Sequence, residues 1–355
     1  MMIEDDSDLR ARIAVRGRGT GELGKGRFER LEVAYEQQEE AQIATELFKD
    51  TSRSIISYND SPDVGFSASL NPYRGCEHGC IYCYARPTHE YLGYSAGLDF
   101  ETKLFAKMEA PSLLRAEMQK KSWKPQALGM SGVTDCYQPI ERTLEITRGC
   151  LGVLLEFRNP VVVITKNYLV TRDIDLLKAL AEFKAAHVVL SITTLDKDLA
   201  RYMEPRASTP GLRLKAVEEL TKAGIPVSVN MAPIIPGLTD HEIPSLLKAA
   251  ADAGALKAYY TMVRLPYSVK DLFAAWLEEH YPTKKNKVLN RIRDVRGGKL
   301  YTSEFGSRMS GEGVYAQHIE QIFTQSRARF GLDRKTPPLS AAHFRRADEG
   351  QLSLF

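Results

Sequence analysis

Residues 209–227, TPGLRLKAVEELTKAGIPV, contain one full unit of the pattern that sets the fold. Thr209 is suited to cap a helix, and Pro210 is suited to its first turn. Gly224 is a helix stop, and Pro226 opens the run that follows. The segment therefore predicts a helix that passes through a short turn into a strand.

The same alternation extends over the middle of the chain. Apolar or β-branched runs of strand length occur at GFSASL, ALGMSGV, VVVIT, HVVLSITT, PVSVNMAPII and KAYYTMV. Segments with helical periodicity lie between or after them, at residues 140–157, 171–184, 210–223, 240–253 and 265–282. Strands that alternate with helices through short connections form parallel sheets. Six such units predict an α/β fold, a partial (β/α)₆ barrel of the TIM type, with functional residues at the C-terminal ends of its strands.

Composition divides the chain into four parts. Residues 1–62 are polar and contain the run RGRGTGELGKGRFER, which predicts a mobile basic arm with local helix near Glu36 to Phe48. The barrel core then occupies residues 63–280, a basic C-terminal region occupies 281–340, and a polar tail with an apolar tip occupies 341–355. No run approaches the ~18 apolar residues of a membrane span, and the acidic start MMIEDDSDLR does not resemble a signal peptide. We therefore expect a cytoplasmic protein without membrane contact.

Charge is distributed unevenly along the chain. The net charge is only +3, which does not by itself indicate a nucleic-acid-binding protein. Between Lys284 and Lys299, however, seven basic residues face Asp294 alone. Such a segment suits a phosphate backbone, and a solvated surface explains it equally well.

Three of the five cysteines lie within residues 76–84, CEHGCIYCY, directly after the first predicted strand. In a reducing compartment, clustered cysteines indicate metal ligands or catalytic groups. Three thiolates can hold three irons of a four-iron, four-sulfur (4Fe–4S) cluster and leave the fourth iron open to a small molecule. Zinc is the competing metal, but a structural zinc site needs four ligands. His78 lies in the loop, yet no second C-x₂-C or H-x₃-H pair completes a zinc site.

The C-x₃-C-x₂-C loop after the first strand of a partial barrel resembles the signature of the radical S-adenosylmethionine (radical SAM) superfamily. The resemblance implies that Cys76, Cys80 and Cys83 hold the cluster and that S-adenosylmethionine (AdoMet) chelates the open iron. It also implies that an electron from a reductant such as flavodoxin or ferredoxin cleaves AdoMet to methionine and a 5′-deoxyadenosyl radical. The positions that match the superfamily's AdoMet-binding elements are Tyr82, Gly132, Thr134, Asp135, Ser191, Thr193, Gly237 and Asp240.

Within the superfamily, the sequence resembles the spore photoproduct lyase-like group. The resemblance rests on Tyr82 and Tyr84, which flank the third cysteine, on the VTD turn, and on the ITK…LVTRDIDLL segment. In that group a cysteine returns hydrogen to the product radical and tyrosines relay the radical, which implies catalytic roles for Cys136, Tyr82 and Tyr84. The lyase's donor cysteine precedes a Ser-Asp pair, whereas Cys136 follows Asp135. Cys136 is therefore either a donor at a shifted position on the barrel rim or a small buried residue.

Three other side chains allow simpler interpretations. Cys150 lies at helical spacing from Leu154 and Phe157, which predicts a place in the core. Glu204 and Arg206 follow the fourth predicted strand. They either form a structural ion pair with each other or bind the AdoMet carboxylate or a substrate phosphate.

The chain ends in QLSLF, which resembles the motif by which bacterial DNA-processing proteins bind the replication sliding clamp. The five matching residues are Gln351, Leu352, Ser353, Leu354 and Phe355. A polar lead can deliver such an apolar tip into pockets on a partner. A tip that folds back on its own core and a fortuitous match are the alternatives.

These features favour a radical SAM enzyme that repairs or modifies DNA. The lyase resemblance, the basic segment and the tail all point to that substrate. A radical SAM enzyme that modifies RNA or a peptide is one alternative. A non-catalytic iron–sulfur protein that binds nucleic acid is another, and it requires a fourth protein ligand to the cluster.

Overall fold

The computed structural model describes residues 17–21, 27, 43–334 and 338–346. Within these ranges the strands are Glu46–Lys49 (β1), Ile56–Tyr58 (β2), Ala68–Leu70 (β3), Tyr73–Arg74 (β4), Lys103–Ala106 (β5), Leu128–Met130 (β6), Val161–Thr165 (β7), Ala186–Ser191 (β8), Val227–Ile234 (β9) and Lys257–Met262 (β10). The α-helices are Asp99–Thr102 (α1), Ala110–Gln119 (α2), Glu141–Leu144 (α3), Ile146–Phe157 (α4), Ile174–Glu182 (α5), Lys197–Met203 (α6), Pro210–Lys222 (α7), Ile243–Asp252 (α8), Val269–His280 (α9), Pro282–Asp294 (α10), Ser307–Ser310 (α11) and Gly313–Arg329 (α12). Short 3₁₀ helices occupy Arg86–Leu92, Tyr168–Asp173 and Asp240–Glu242.

The large sheet contains seven strands in the order β2-β3-β6-β7-β8-β9-β10. All neighbours from β3 to β10 are parallel, and β2 is an antiparallel edge strand. The six parallel strands are the six predicted from the sequence, and they follow one another in chain order. The predicted partial (β/α)₆ barrel is therefore confirmed.

Helix α7 shows why the predicted pattern was reliable. The Thr209 side chain accepts a hydrogen bond from the backbone N–H of Leu212, and Pro210 occupies the first turn. Gly224 has a φ of 83°, a left-handed conformation in which glycine is not strained. Local chemistry thus sets both ends of this helix.

The main core lies between the sheet and its helices. Along β9, Val227, Val229 and Met231 are fully buried in this core. Because side chains alternate along a strand, Ser228 and Asn230 face the opposite side, the barrel interior. The prediction that Cys150 belongs to the core is confirmed, since its side chain is fully buried within it.

Part of the segment assigned to the N-terminal arm is incorporated into the fold. Strand β2 pairs with β3, and Ile55 and Ile56 are buried in the main core. Residues 46–48, expected to be helical, instead lie in β1, which pairs with β5 in a three-stranded sheet of order β1-β5-β4. The Phe48 ring stacks on Phe105 at 5.1 Å. Tertiary pairing overrides the local helical preference in such a short strand.

The C-terminal region also contributes helices that the weak sequence pattern did not predict, α10 and α12. Beyond them, residues 338–346 dock along the edge where the parallel strands begin. Ser340 N donates to Lys184 O at 2.9 Å, and Phe344 stacks on Phe157 at 6.1 Å between ring centroids. Arg346 donates to Lys120 O at 3.1 Å. The QLSLF motif lies outside the described residues.

Membrane-spanning segments were sought in the same ranges. None of the helices described is both long and apolar enough to cross a bilayer.

Candidate functional site

The cysteine loop lies beyond the C-terminal end of β3, between β4 and the 3₁₀ helix that begins at Arg86. Cys76 and Cys80 are buried, Cys83 is partly exposed, and all three are free thiols. Cys83 packs against two hydrophobic clusters, one containing Cys76 and the other Cys80. Cys83 therefore links the surroundings of Cys76 and Cys80, and all three lie within electrostatic range of one another at the edge of the sheet where function was expected.

The donor set of this loop fits an iron–sulfur cluster. Burial raises the pKa of all three thiols, so they need a strong positive partner to become thiolates. A cube of four irons supplies that charge and spreads its ligands over separate corners. In the part of the chain described, no group of three or more His, Cys, Asp or Glu side chains is placed to hold a metal ion.

His78, inside the loop, is held by two side chains from the strand ends. Its Nδ1 lies 3.4 Å from the Asp135 carboxylate, and its Nε2 lies 3.1 Å from the Asn167 amide. Asp135 also accepts hydrogen bonds from Thr165 Oγ1 and Lys166 N, both at 2.8 Å. Asp135 was expected to meet the AdoMet amino group, but its oxygens already join the loop to the end of β7.

Tyr82 enters a buried polar network at the ends of β7 and β8. Its hydroxyl contacts the Glu204 carboxylate and lies 3.1 Å from Thr193 Oγ1. Lys166 Nζ lies 3.2 Å from Glu204 Oε1 and donates to Thr193 Oγ1 at 3.2 Å. The buried Arg213 pairs with the other Glu204 oxygen. Burial by itself would raise the pKa of Glu204, but the charges of Arg213 and Lys166 outweigh it and hold that pKa below its usual value.

This network corrects one expectation and adds one residue. Glu204 does not pair with Arg206, which instead lies 3.2 Å from Glu77 in the cysteine loop. Lys166 was missed as an individual site residue. Its sequence signals were its place directly after the VVVIT strand and within the ITK segment that resembles the lyase group, but the contacts of its ammonium group depend on β8 and β9.

The other expected cofactor positions separate into two groups. Near the loop, Gly132 O accepts a 2.7 Å hydrogen bond from the Tyr84 hydroxyl, and Thr134 Oγ1 donates to a backbone carbonyl at 2.7 Å. Ser191 is the last residue of β8, and its side chain is buried. Gly237 and Asp240 instead form a turn, in which Gly237 N donates to Asp240 Oδ1 at 3.0 Å.

That turn faces the C-terminal helices. The Asp240 carboxylate accepts a hydrogen bond from Tyr315 of α12. A Cβ on Gly237 would lie 3.4 Å from the Arg291 side chain of α10. Gly237 and Asp240 thus contact the C-terminal helices, and their expected role in AdoMet binding stays a prediction.

Cys136 does not emerge at the barrel rim. Its side chain is fully buried in the main core, and its carbonyl accepts a 2.6 Å hydrogen bond from Thr147 Oγ1. Its N–H donates to Ser131 Oγ at 2.7 Å, and Ser131 adopts a left-handed φ of 75°. This turn directs the thiol into the core, which agrees with the alternative of a small buried residue.

A short N-terminal segment covers the outside of the cysteine loop. Gly19 N donates to Glu101 Oε2, and Arg18 donates to Glu101 O, both at 2.8 Å. A Cβ on Gly19 would lie only 1.6 Å from the Gly79 carbonyl oxygen. Glu101 is in turn bound to Arg86, and neither side chain is exposed. Arg18 and Gly19 of the glycine-rich run therefore cover the cysteine loop. The composition of the run did not predict this contact.

Comparisons with known proteins agree with this geometry. Residues 70–250 match the family model of the radical SAM superfamily. An uncharacterised protein of Mycobacterium tuberculosis is 33% identical over 232 residues, which cover 65% of this chain and 67% of that protein. The radical SAM Nalpha-GlyT isomerase of Pseudomonas phage M6 is 25% identical over 268 residues, covering 75% of this chain and 52% of the isomerase.

Solved structures show the same fold. Spore photoproduct lyase complexed with dinucleoside spore photoproduct superposes with a TM-score of 0.56 at 14% identity, covering 80% of this chain and 79% of the lyase. A lyase mutant with bound AdoMet and the same dinucleoside has a TM-score of 0.52 at 15% identity, covering 80% and 78%.

Replacing Gly19 by alanine is expected to open the cysteine loop, because the new Cβ atom has no room beside Gly79. Overpacking of this kind costs about 1–3 kcal/mol, so local opening should increase by about tenfold. The measurement is the rate at which iodoacetamide alkylates Cys76 and Cys80 in the metal-free chain, followed by mass spectrometry. Gly65→Ala is the control, because no atom lies within 4 Å of its Cβ position. Equal alkylation rates in the two variants would contradict the claim that Gly19 closes the cysteine loop.

Proposed function

The chain belongs to the radical SAM superfamily, and we propose that it is a member that repairs or modifies DNA in the manner of the spore photoproduct lyase-like group. As a superfamily member it is an enzyme whose cofactors are a 4Fe–4S cluster and AdoMet. When bound, these cofactors supply a 5′-deoxyadenosyl radical for hydrogen abstraction. The protein must hold both cofactors, exclude water and present the substrate. We further propose that flavodoxin or ferredoxin is the reductant.

Cys76, Cys80 and Cys83 are proposed as the cluster ligands. The support is that the three thiols lie within electrostatic range of one another and at the C-terminal edge of the sheet. Beside them, Lys166 and Thr193, which contact each other and Glu204, are proposed to lie near the AdoMet carboxylate. Tyr82, Gly132, Thr134 and Ser191 complete the proposed cofactor-facing set, and Asp135 positions the loop through His78.

The observation that carries the choice of a nucleic acid is the place of the basic helix α10. Its apolar residues Val288, Leu289 and Ile292 belong to the same hydrophobic cluster as Ile81 and Tyr82 of the cysteine loop. Of the seven basic residues in this segment, six are at least partly exposed, namely Lys284, Lys285, Lys287, Arg291, Arg293 and Lys299. A phosphate backbone bound along this face would thus lie on a helix that packs in the same hydrophobic cluster as the cysteine loop.

The similar proteins support the same class of substrate. The lyase structure contains a dinucleoside photoproduct, and its fold is that of this chain over 80% of the length. The phage relative is a radical SAM isomerase whose name specifies Nalpha-GlyT. The lyase likeness, together with the exposed basic face, favours DNA over a peptide.

We propose that the terminal Gln351 to Phe355 binds the sliding clamp. Residues 338–346 run along the edge where the strands begin, and Arg346 is held there by carbonyls that precede β6. The cysteine loop lies at the other edge of the sheet. A clamp bound to residues beyond Arg346 would therefore not cover the catalytic mouth.

Serine at Cys76, Cys80 or Cys83 is expected to abolish both iron binding and AdoMet cleavage, because a serine hydroxyl does not ionise as a thiolate does. Iron and sulfide per reconstituted chain and 5′-deoxyadenosine formed under dithionite are the measurements. Cys150→Ala is the control and should keep both properties. Any of the three serine variants that still binds a full cluster and cleaves AdoMet would exclude that cysteine as a ligand.

Reversing the charges of Lys284, Lys287 and Lys299 to glutamate is expected to weaken DNA binding and to reduce its salt dependence. Loss of three phosphate contacts lowers the magnitude of the slope of log K against log salt by about 3. Fluorescence anisotropy of labelled duplex DNA at several salt concentrations measures both effects.

The control for that experiment carries the same charge change elsewhere. Lys215, Lys222 and Lys248 lie on α7 and α8, where each pairs with an acidic side chain of its own helix. Their reversal to glutamate should leave the slope close to that of the wild type. Equal slopes for the two triple variants would refute a binding role for the α10 face.

The full chain is expected to bind a purified bacterial sliding clamp, and Phe355→Ala should weaken that binding by about 30-fold or more, since a buried aromatic anchor contributes ~2 kcal/mol or more. Surface plasmon resonance gives the affinities. Ser353→Asp is the matched control, because the motif accepts either residue there. Absence of binding by the wild-type chain would remove the clamp from the proposal.

A further inference from the structure

Arg264 is a cation without a counter-ion at the mouth of the barrel. It is the second residue after β10, at the same edge as the cysteine loop. Among the residues described, no carboxylate forms an ion pair with it, and its Nε is buried without a hydrogen-bond partner. Its Nη1 reaches only the sulfur of Met309, at 3.7 Å, and a thioether is a weak acceptor.

The surroundings of Arg264 leave its positive charge uncompensated. Asp63 is within electrostatic range, but Arg308 Nε lies 2.5 Å from that carboxylate and Gly306 N donates to it at 2.7 Å. The buried Arg296 adds a second positive charge close by. Burial and the charge of Arg264 lower the pKa of Arg296 to about 10, although Glu312 acts in the opposite direction. This part of the barrel mouth is therefore suited to bind an anion.

Tyr84 holds the guanidinium in a defined orientation. The Arg264 guanidinium carbon lies 5.3 Å from the centre of the Tyr84 ring. The ring is fixed by the hydrogen bond of its hydroxyl to Gly132 O, and the side chain is 46% exposed. An arginine stacked on an aromatic ring keeps its planar edge of N–H donors available, and that edge matches two oxygens of a phosphate.

We propose that Arg264, stacked on Tyr84, binds a backbone phosphate of the nucleotide on which the enzyme acts. This inference rests on the proposed function and specifies how the same site receives its substrate. Tyr84 follows Cys83 directly, so a phosphate on Arg264 lies next to the loop that holds the cofactors. The neighbouring base can then enter the barrel, whose inner face carries Asn230. Tyr84 thereby orients the substrate through Arg264.

The test uses the reconstituted full chain and a fluorescein-labelled single-stranded oligodeoxynucleotide, with anisotropy recorded over a range of salt concentrations. Arg264→Gln should weaken binding by about 10-fold to 100-fold, because it removes a charged, two-pronged hydrogen bond. It should also reduce the salt slope by about 0.7, the value for one phosphate contact on a single strand. Arg264→Lys keeps the charge and should restore the slope but only part of the affinity.

Arg158→Gln is the matched control. Its guanidinium lies 4.1 Å from the Phe183 ring, an equivalent stack at the opposite edge of the sheet. The Arg158→Gln variant should have the oligonucleotide affinity and the salt slope of the wild type. Thermal unfolding should show that both glutamine variants are folded. If Arg264→Gln binds like the wild type while the wild type binds well, the phosphate site is refuted and the proposed function stands. If the wild-type chain binds no oligonucleotide, the proposed function is refuted and this site with it.

Discussion

The buried ion pair between Arg86 and Glu101 is the contact on which the cysteine loop depends. Arg86 also donates to the carbonyl oxygens of Cys80 and Gly97, at 3.0 and 2.9 Å, and Glu101 accepts from Gly19. The loop belongs to no helix or sheet, so side chains must satisfy its backbone groups. Loss of one partner would leave a buried charge uncompensated, at a cost of about 3–5 kcal/mol.

On its inner side the loop is held by a different chemistry. Asp135 joins His78 to the end of β7, and Tyr82 joins the loop to Glu204 and Thr193. Together with the outer contacts, these bonds anchor the loop that carries the three cysteines. The two edges of the sheet therefore differ: the cysteine loop lies at one edge, and the docked C-terminal segment lies at the other.

The six parallel strands were predictable because each has a strong β-branched or apolar run, and helices with clear periodicity lie between them. Strands β1, β4 and β5 were not predictable, since two to four residues carry no measurable alternation. Helices α10 and α12 were missed for another reason. Polar and charged residues together outnumber the apolar ones in both sequences, and packing against the core makes these helices stable.

The features of the site likewise divide into those that the sequence predicted and those that only the tertiary structure determines. Local spacing alone predicted a cluster-binding role for Cys76, Cys80 and Cys83, because one loop supplies all three thiols. The partners of Glu204, the burial of Cys136 and the open charge of Arg264 each depend on residues far away in the chain. Only tertiary packing brings those groups within hydrogen-bond distance or hides them from water. Spacing along the chain therefore defined the cofactor class, and the fold decided which side chains surround it.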